Sequence, residues 1–466
     1  MLGFGDDFAW GAATAAYQIE GATNADGRSE SIWDRFCALP GKIRDGSDGR
    51  RACDHYRRFR EDVALMRWLG LKAYRFSIAW PRVVPGGRGA VNQRGLDFYD
   101  ALVDALLEAG VEPFVTLYHW DLPQVLEDAG GWPERATAHA FVEYADVVTR
   151  RLGDRVKHWL THNEPYCVAN FGYRDGTQAP GRQSPSDALA AVHHVLLSHG
   201  WSVPLIRANS RGAQVGIALN LVPVEPASPS VADRAAARAG DGEANRWYLD
   251  PLYGRGYPED VIGDRVRDGT LAAEKLPFLR PGDEASIATA TDFLGINYYM
   301  RAIARAPHLT EEQNEPRIVE PRSERTAMGW EVFPDGLERI LLSVHQRYQP
   351  PRIYVTENGA AFADSAPGKD RAVHDHARQS YLERHLRALY RARKSGVPVH
   401  GYFLWSLMDN FEWAEGYAKR FGIVWVDYET YERVPKDSAH WYRRVISDNG
   451  LVERRDGDAF EPAVSP

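Results

Sequence analysis

The sequence predicts an α/β protein with a single (β/α)8 TIM barrel, whose enlarged βα loops form a deep pocket. Short apolar runs rich in β-branched and aromatic residues alternate with longer helical stripes along the chain, and there are eight such runs. Strands that alternate with helices favour a parallel sheet wrapped by helices. The 466 residues exceed the about 250 of a typical barrel, so we expect the surplus in the loops.

The predicted strands are short runs bounded by Gly, Pro or polar residues, which is the pattern of buried strands. They span residues 8–14, 71–77, 111–117, 156–162, 214–219, 292–296, 353–356 and 399–404.

The first two helices that we predict show apolar residues at helical spacing. Asp54 is the expected N-cap of the first helix, and Gly110 should follow the end of the second. The apolar stripe of the second helix consists of Leu96, Tyr99, Leu102, Val103, Leu106 and Leu107.

The surplus length is concentrated in segments rich in Gly, Pro and charge. Since the strand-helix alternation resumes after each segment, we predict one domain, a barrel over residues 1–447 with a frayed C-terminal tail at 448–466. A doubly wound open sheet is the competing fold, but it usually carries a G-x-G-x-x-G turn after its first strand, and that motif is missing here. The predicted loops are 37–51, 177–187, 223–242, 253–284 and 301–328.

The composition excludes several classes of partner. Lys and Arg number 56 against 64 Asp and Glu, a net charge of -8 that disfavours nucleic acid and anionic membranes. Three cysteines without C-x-x-C spacing, and no apolar segment of membrane-spanning length or signal peptide, predict a cytoplasmic protein. Whether it forms a homo-oligomer is left open.

No cofactor and no metal site are predicted. His193, His194 and His199 lack the i, i+4 spacing of a helical zinc site, so we expect packing roles for them. His374 and His376 are expected to be solvated.

Polar residues follow the predicted strands at their C-terminal ends, where barrel enzymes place their reactive groups. Two glutamates, Glu164 and Glu357, are among them. The others are Gln18 and Glu20, Arg75, His119 and Trp120, Asn163, Asn220, Asn297 to Tyr299, Asn358 and Trp405.

This set of residues favours one chemistry over the others. A carboxylic acid facing a carboxylate can protonate a leaving oxygen and attack an anomeric carbon, which is glycoside hydrolysis. The motifs of serine hydrolases, zinc hydrolases and P-loop enzymes are missing from the sequence. Pro165 is expected to bias Glu164 toward an extended backbone, and Asn358-Gly359 is expected to turn the chain after Glu357. A catalytically silent sugar-binding barrel is the alternative from another class.

Four segments make the chain resemble glycoside hydrolase family 1, the β-glucosidase and β-galactosidase group. They are FAWGAATAAYQIEG at 8–21, Thr161 with NEP at 163–165, TENG at 356–359 and WSLMDNFEW at 405–413. The resemblance implies a retaining exo-β-glycosidase, with β-glucosides as the expected small-molecule substrates and carboxyl groups about 5 to 5.5 Å apart.

The resemblance also implies a role for each site residue. Glu164 corresponds to the general acid/base and Glu357 to the nucleophile, which Arg75 and Tyr299 should keep ionised, whereas proximity to that carboxylate should keep Glu164 protonated. The expected sugar-binding residues are Gln18, His119, Asn163, Glu412 and Trp413 on the hydroxyls, Trp405 beneath the ring, Trp330 at the leaving group, and Asn297 and Trp120 in support.

Positions at which members of the family differ narrow the choice of substrate. Members that cleave 6-phosphoglycosides usually have Ser at the position of Glu412, so a 6-phospho-β-glycosidase is the disfavoured alternative. Plant thioglucosidases have Gln at the position of Glu164, so thioglucosidase activity is also disfavoured. Gln178 lies in a loop that varies, so it bears on the aglycone.

Overall fold

Eight parallel strands close into a barrel in the computed structural model, which describes residues 1–306 and 323–453. Each strand pairs with its neighbours in chain order, and the last pairs with the first. All eight predicted strands are confirmed, with ends that differ by at most two residues. The strands are β1 Ala9–Ala13, β2 Ala73–Ser77, β3 Glu112–Tyr118, β4 His158–Asn163, β5 Gln214–Asn220, β6 Phe293–Asn297, β7 Ile353–Asn358 and β8 Val399–Trp405.

Helices surround the barrel on the outside. The longer ones are α1 His55–Leu69, α2 Gln93–Glu108, α3 Arg135–Leu152, α4 Pro185–Asn209, α5 Val231–Asp241, α6 Glu259–Arg267, α7 Pro334–Tyr348, α8 His376–Lys394 and α9 Asp437–Asp448. Shorter helical segments are Ala16–Ile19, Ile32–Cys37, Trp80–Val83, Gln124–Asp128, Pro165–Ala169, Asn170–Arg174, Gly242–Arg246, Trp247–Leu252, Asp283–Ile287 and Trp413–Glu415.

The two predicted helices are present with small differences. The apolar stripe of α2 is buried against the barrel, except that Leu107 is exposed. Asp54 does precede α1, but its side chain makes no cap hydrogen bond and instead accepts one from Arg57. The segments 223–242 and 253–284, predicted as loops, contain α5 and α6. Of the predicted loop 301–328, residues 307–322 lie outside the described range.

Aromatic rings fill the half of the barrel that is farther from the C-terminal ends of the strands. Phe114 lies 4.8 Å from Phe403 and 5.3 Å from Tyr354, measured between ring centroids. A Cβ on Gly11 would come 2.4 Å from the Phe403 ring, so only glycine fits beside it. This apolar plug keeps water away from the polar groups above it.

Residues near the two ends of the described chain pair with each other outside the barrel. Leu2 and Gly3 pair in antiparallel fashion with Leu451 and Gly450, so the ordered fold continues past the predicted domain boundary at 447. The rest of the predicted tail, residues 454–466, lies outside the described residues.

Helix α4 is long and apolar enough to span a bilayer, but 78% of its most apolar window is buried inside the protein. His193, His194 and His199 lie on this helix and are buried, as expected for packing residues.

Candidate active site

Glu357 lies at the C-terminal end of β7, where the pairing with β6 and β8 shifts register. Its two carboxylate oxygens are held by different donors. Arg75 donates from Nη1 to Oε1 over 2.6 Å, and the Tyr299 hydroxyl donates to Oε2 over 2.7 Å. The predicted contacts of Glu357 with Arg75 and Tyr299 are therefore present.

Close packing against a neighbouring chain segment, rather than the predicted turn, explains the glycine at position 359 after this strand. A Cβ on this residue would lie 1.7 Å from the carbonyl oxygen of Trp405. The two chain segments can therefore approach closely only with glycine at this position.

Glu164 precedes the short helix Pro165–Ala169, in which Pro165 is the first residue. Its backbone has φ of 49°, in the left-handed region, so the extended geometry predicted from Pro165 is wrong. Trp120 and Trp413 also have positive φ, at 79° and 48°. Such strained backbone is concentrated at functional sites, where the surrounding structure holds it in place.

The side chain of Glu164 has a neutral hydrogen-bond partner. Asn297 donates from Nδ2 to Glu164 Oε1 over 2.6 Å, and its own carbonyl accepts from Thr356. Cys167 also contacts this carboxyl group, and burial raises the pKa of its thiol well above the usual value. The thiol is therefore not poised as a nucleophile.

The two glutamates differ in their pKa. Burial raises the pKa of Glu164 to about 7, and the charge of Glu357 adds to this effect. Burial is the larger cause of the raised pKa of Glu164, rather than the proximity of Glu357 that the sequence predicted. Burial also raises the pKa of Glu357, but Arg75 and Tyr299 oppose it, so Glu357 is the first of the two to ionise.

Asn163 fixes the orientation of the groups beside the glutamates. Its Oδ1 accepts from Arg75 over 2.7 Å and from Asn297 over 3.0 Å, which leaves Nδ2 to donate to His119 Nε2 over 3.0 Å. Since His119 Nε2 must accept, the proton of the neutral ring is on Nδ1. Burial holds the pKa of His119 well below its usual value, so the ring is neutral.

Two polar atoms near the pocket have no partner in the described part of the chain, namely Nδ1 of His119 and Oε1 of Gln18. Gln18 Nε2 donates to the carbonyl oxygen of Phe411 over 2.9 Å and to Glu412 over 3.4 Å, which leaves Oε1 to accept. A buried donor and a buried acceptor without partners suit a hydroxyl-bearing ligand. Burial and the other two glutamates raise the pKa of Glu412 to about 8.

Stacked aromatic rings form the wall of the pocket beside these polar atoms. His119 lies 5.8 Å from Trp405 and 5.9 Å from Trp413, with the rings within 20° of parallel. Trp120 packs on Trp413 at 4.6 Å and donates its indole N–H to the carbonyl oxygen of Asn163 over 2.9 Å. Trp120 therefore both lines the pocket and supports Asn163.

A buried ionic network holds the segment after β8, which carries Glu412 and Trp413. Lys436 is buried between Asp364 and Asp409, 2.5 and 2.7 Å away. Asp409 also accepts from Arg420 and from the backbone N–H of Gly422. The network therefore fixes the base of the sugar-binding segment.

The pocket has a volume of about 850 Å³ including the part open to solvent. Trp330 lines it, with its ring centroid 5.4 Å from that of Tyr299 and 6.1 Å from that of Phe421. The pocket is also lined by Cys167, Gln178, Asn220 and Met328. Four further lining residues were not predicted from the sequence, namely Phe171, Val222, Met300 and Phe421.

Six residues from the strand-end set do not line the pocket. Gln18, Arg75 and Asn297 each hydrogen-bond to a glutamate that does line it, whereas the other three point elsewhere. Glu20 forms a buried ion pair with Arg82 at 2.8 Å. Tyr298 donates its hydroxyl to a backbone carbonyl of the loop before α7, and Asn358 donates to the carbonyl oxygen of Tyr298. These last three residues have structural roles.

Comparisons with known proteins agree with this geometry. Beta-glucosidase A of Thermotoga maritima is 46% identical over 452 residues, covering 97% of this chain and 99% of that protein. Thermostable beta-glucosidase B of Thermobispora bispora is 48% identical over 460 residues, 97% of this chain and 92% of that protein.

Solved structures show the same likeness. The AHE enzyme from Alicyclobacillus herbarius matches with a TM-score of 0.89 at 49% identity, over 96% of this chain and 99% of that one. The β-glucosidase of Thermotoga maritima in complex with glucoimidazole matches with a TM-score of 0.90 at 45% identity, over 97% and 100%. The model of glycosyl hydrolase family 1 matches residues 2–451. This match covers nearly the whole chain, from the strand at Leu2–Gly3 to its partner strand at Gly450–Leu451. The chain therefore belongs to glycosyl hydrolase family 1.

Proposed function

We propose that this protein is a retaining, exo-acting β-glucosidase that removes nonreducing terminal β-D-glucosyl residues from oligosaccharides and from aryl or alkyl β-glucosides. The observation that carries the proposal is the unequal pair of glutamates. Glu357 is held by a cation and a phenol, whereas Glu164 is held by an amide. One carboxylate and one carboxylic acid result, as a double displacement needs.

In the first step, Glu357 attacks the anomeric carbon while Glu164 gives its proton to the leaving oxygen. Charge on Glu357 disappears as the glycosyl ester forms, so one cause of the raised pKa of Glu164 is removed. In the second step, Glu164 takes a proton from water, the water oxygen attacks the anomeric carbon, and the bond from that carbon to Glu357 breaks, so Glu357 leaves as a carboxylate.

The polar atoms on the floor of the pocket favour a neutral glycone. His119 Nδ1 offers a donor and Gln18 Oε1 offers an acceptor, and the second N–H of Asn163 Nδ2 is the donor that we expect to bind the 2-hydroxyl. No lysine or arginine lines the pocket within the described residues, so a 6-phosphate has no cation to pair with there. This disfavours the 6-phospho-β-glycosidase, and the proton donor facing a nucleophile disfavours a silent binding barrel.

Proton NMR of the anomer first released tests this function. We expect 4-nitrophenyl β-glucoside to release β-glucose first, and cellobiose to be cleaved as well. Release of α-glucose, or saturable cellobiose binding without product, would contradict the proposal.

A substrate panel tests the preference for the glycone. We expect the glucoside to be hydrolysed at least as well as the galactoside and fucoside, and the 6-phosphoglucoside to be a poor substrate. Above about pH 8, where Glu412 is ionised, a Glu412→Gln variant should raise KM for plain glucosides, because the Gln amide offers one acceptor oxygen where a carboxylate offers two. Preferred cleavage of the phosphorylated substrate would assign the alternative function.

We infer that the protein acts in the cytoplasm. Its three cysteines are all unpaired, which suits a reducing compartment. Cell fractionation tests the location, and the enzyme activity should be found with the cytoplasmic fraction.

A further inference from the structure

A second cluster of metal-ligand side chains lies outside the pocket, between the segment before α8 and the start of α9. His374, His376 and Asp437 each offer one ligand atom, and these atoms lie within 4.8 Å of one another. The side chains of the two histidines are 45% and 43% exposed, while the Asp437 side chain is fully buried. A cation can thus enter from solvent and meet a fixed carboxylate.

The backbone around this cluster is tied in place from the other side. Asp375, between the two histidines, points inward and accepts from the N–H and the hydroxyl of Ser438. The N–H of Asp437 donates to the carbonyl oxygen of Val373 over 3.0 Å. These bonds join the two segments, so the three ligands do not depend on a freely moving loop.

The surroundings of His374 resemble those of a metal ligand. Its Nε2 lies 3.2 Å from Asp370 Oδ2 and its Nδ1 lies 2.7 Å from Asp437 Oδ2. A histidine that binds a metal usually donates its other ring N–H to a carboxylate, which fixes the tautomer. With the proton on Nε2 toward Asp370, the lone pair of Nδ1 faces the oxygen of Asp437, and a cation between them stabilises both.

His376 completes the set. Its Nδ1 lies 3.9 Å from the same oxygen of Asp437 and has no hydrogen-bond partner in residues 1–306 and 323–453. Two imidazoles and a carboxylate are ligands that zinc accepts, with water in the fourth position.

We propose that His374, His376 and Asp437 form a binding site for a divalent transition-metal ion of the zinc type. A bound ion would link the segment after β7 to the start of α9 and so stabilise the packing of α9 against that segment. None of the three residues lines the sugar pocket, so the role of the site is structural.

Isothermal titration with zinc chloride tests this site. The chain should carry no histidine tag, be stripped with EDTA, and be titrated at about pH 8, above the ordinary range of imidazole pKa values. We expect one saturable equivalent of zinc for the wild type and an affinity about 10- to 100-fold lower for His376→Gln. The matched control is His139→Gln, which removes an exposed imidazole on α3 and should bind like the wild type.

Two further measurements keep the result decisive. Cobalt(II) should give visible d–d absorption bands with the wild type that His376→Gln lacks, and Asp370→Asn, which keeps all three ligands, should weaken zinc binding. Without metal, His376→Gln should melt at the same temperature as the wild type, and zinc should raise the melting temperature of the wild type alone. The proposal is overturned if the wild type shows no saturable zinc binding, or if His376→Gln binds zinc as tightly.

Discussion

Glu164 and Glu357 are both buried glutamates at the ends of barrel strands, yet their surroundings give them opposite roles. Glu357 ends a regular strand and contacts a guanidinium and a phenol. Glu164 has a left-handed backbone before a short helix and contacts an amide and a thiol. Burial raises the pKa of both, so burial does not distinguish them. The hydrogen-bond partners decide which one holds the proton.

The largest effect is expected from Glu357→Gln, which removes the nucleophile. Hydrolysis of aryl β-glucosides should fall by about 10⁴-fold or more, because no second carboxylate can take over the attack. Initial rates measure the loss, and near-normal turnover would refute the assignment. Glu143→Gln, which removes a carboxylate from an exposed ion pair with Arg88, serves as the control.

Glu164→Gln should behave differently, because its loss depends on the leaving group. With alkyl glucosides, kcat should fall by about 10²- to 10⁴-fold, since the leaving alkoxide needs a proton. With a 2,4-dinitrophenyl glucoside, which leaves without a proton, the first step should survive and give a burst of dinitrophenolate before slow hydrolysis. Equal losses for both substrates would contradict the difference between the two glutamates.

Tyr299→Phe should reduce activity less than the loss of either glutamate, because it removes only one hydrogen bond to Glu357. Losing a hydrogen bond to a charged group should lower kcat/KM by about 10- to 100-fold. The pKa of Glu357 should rise, so the acidic limb of the pH profile moves to higher pH. Asn297→Ser is the comparison variant. The Asn297 amide lowers the pKa of both Glu164 and Glu357, so both limbs of the profile should move to higher pH. A Tyr299→Phe profile with an unchanged acidic limb would refute the role of Tyr299.

The smallest effect concerns stability and its dependence on pH. The pKa of Glu164 rises from 4.5 to about 7 on folding, so the folded state binds more protons than the unfolded state between these values. Stability is fully present below the lower pKa and falls as pH rises through the upper one. At neutral pH or above, Glu164→Gln should therefore gain up to about 3 kcal/mol relative to the wild type.

Urea unfolding at about pH 4 and about pH 8 brackets these pKa values and measures the gain. Glu357→Gln provides the contrast, because it leaves the buried guanidinium of Arg75 without its ion-pair partner and should lose stability. An equal effect of Glu164→Gln at both pH values would contradict the raised pKa.

The barrel and the meeting of the two glutamates at one end of it could be predicted from the sequence because both follow from local patterns. Each strand is a short apolar run, and parallel strands that end at one face bring Arg75, Glu164 and Glu357 together. The same logic failed where an end residue turned away from the face. Glu20 follows β1 but pairs with Arg82, which the sequence gives no sign of.

Other features depend on three-dimensional packing and could not be predicted. The left-handed backbone of Glu164 overrides the preference that Pro165 imposes, because Pro165 begins a helix. Phe171, Val222 and Met300 line the pocket from one short helical segment and two loops, and hydrophobic periodicity does not predict the conformation of such connections. Burial as the main cause of the pKa of Glu164 also depends on the closed pocket.

The pKa of Glu164 in the free and the glycosylated enzyme tests the central claim most directly. Carbon-13 NMR of labelled glutamate side chains can follow it, with Glu164→Gln for assignment and a slowly hydrolysed 2-fluoroglucoside to trap the ester on Glu357. We predict a pKa of about 7 in the free enzyme and a lower value in the trapped form, because the charge of Glu357 is then absent. An unchanged pKa would contradict the account.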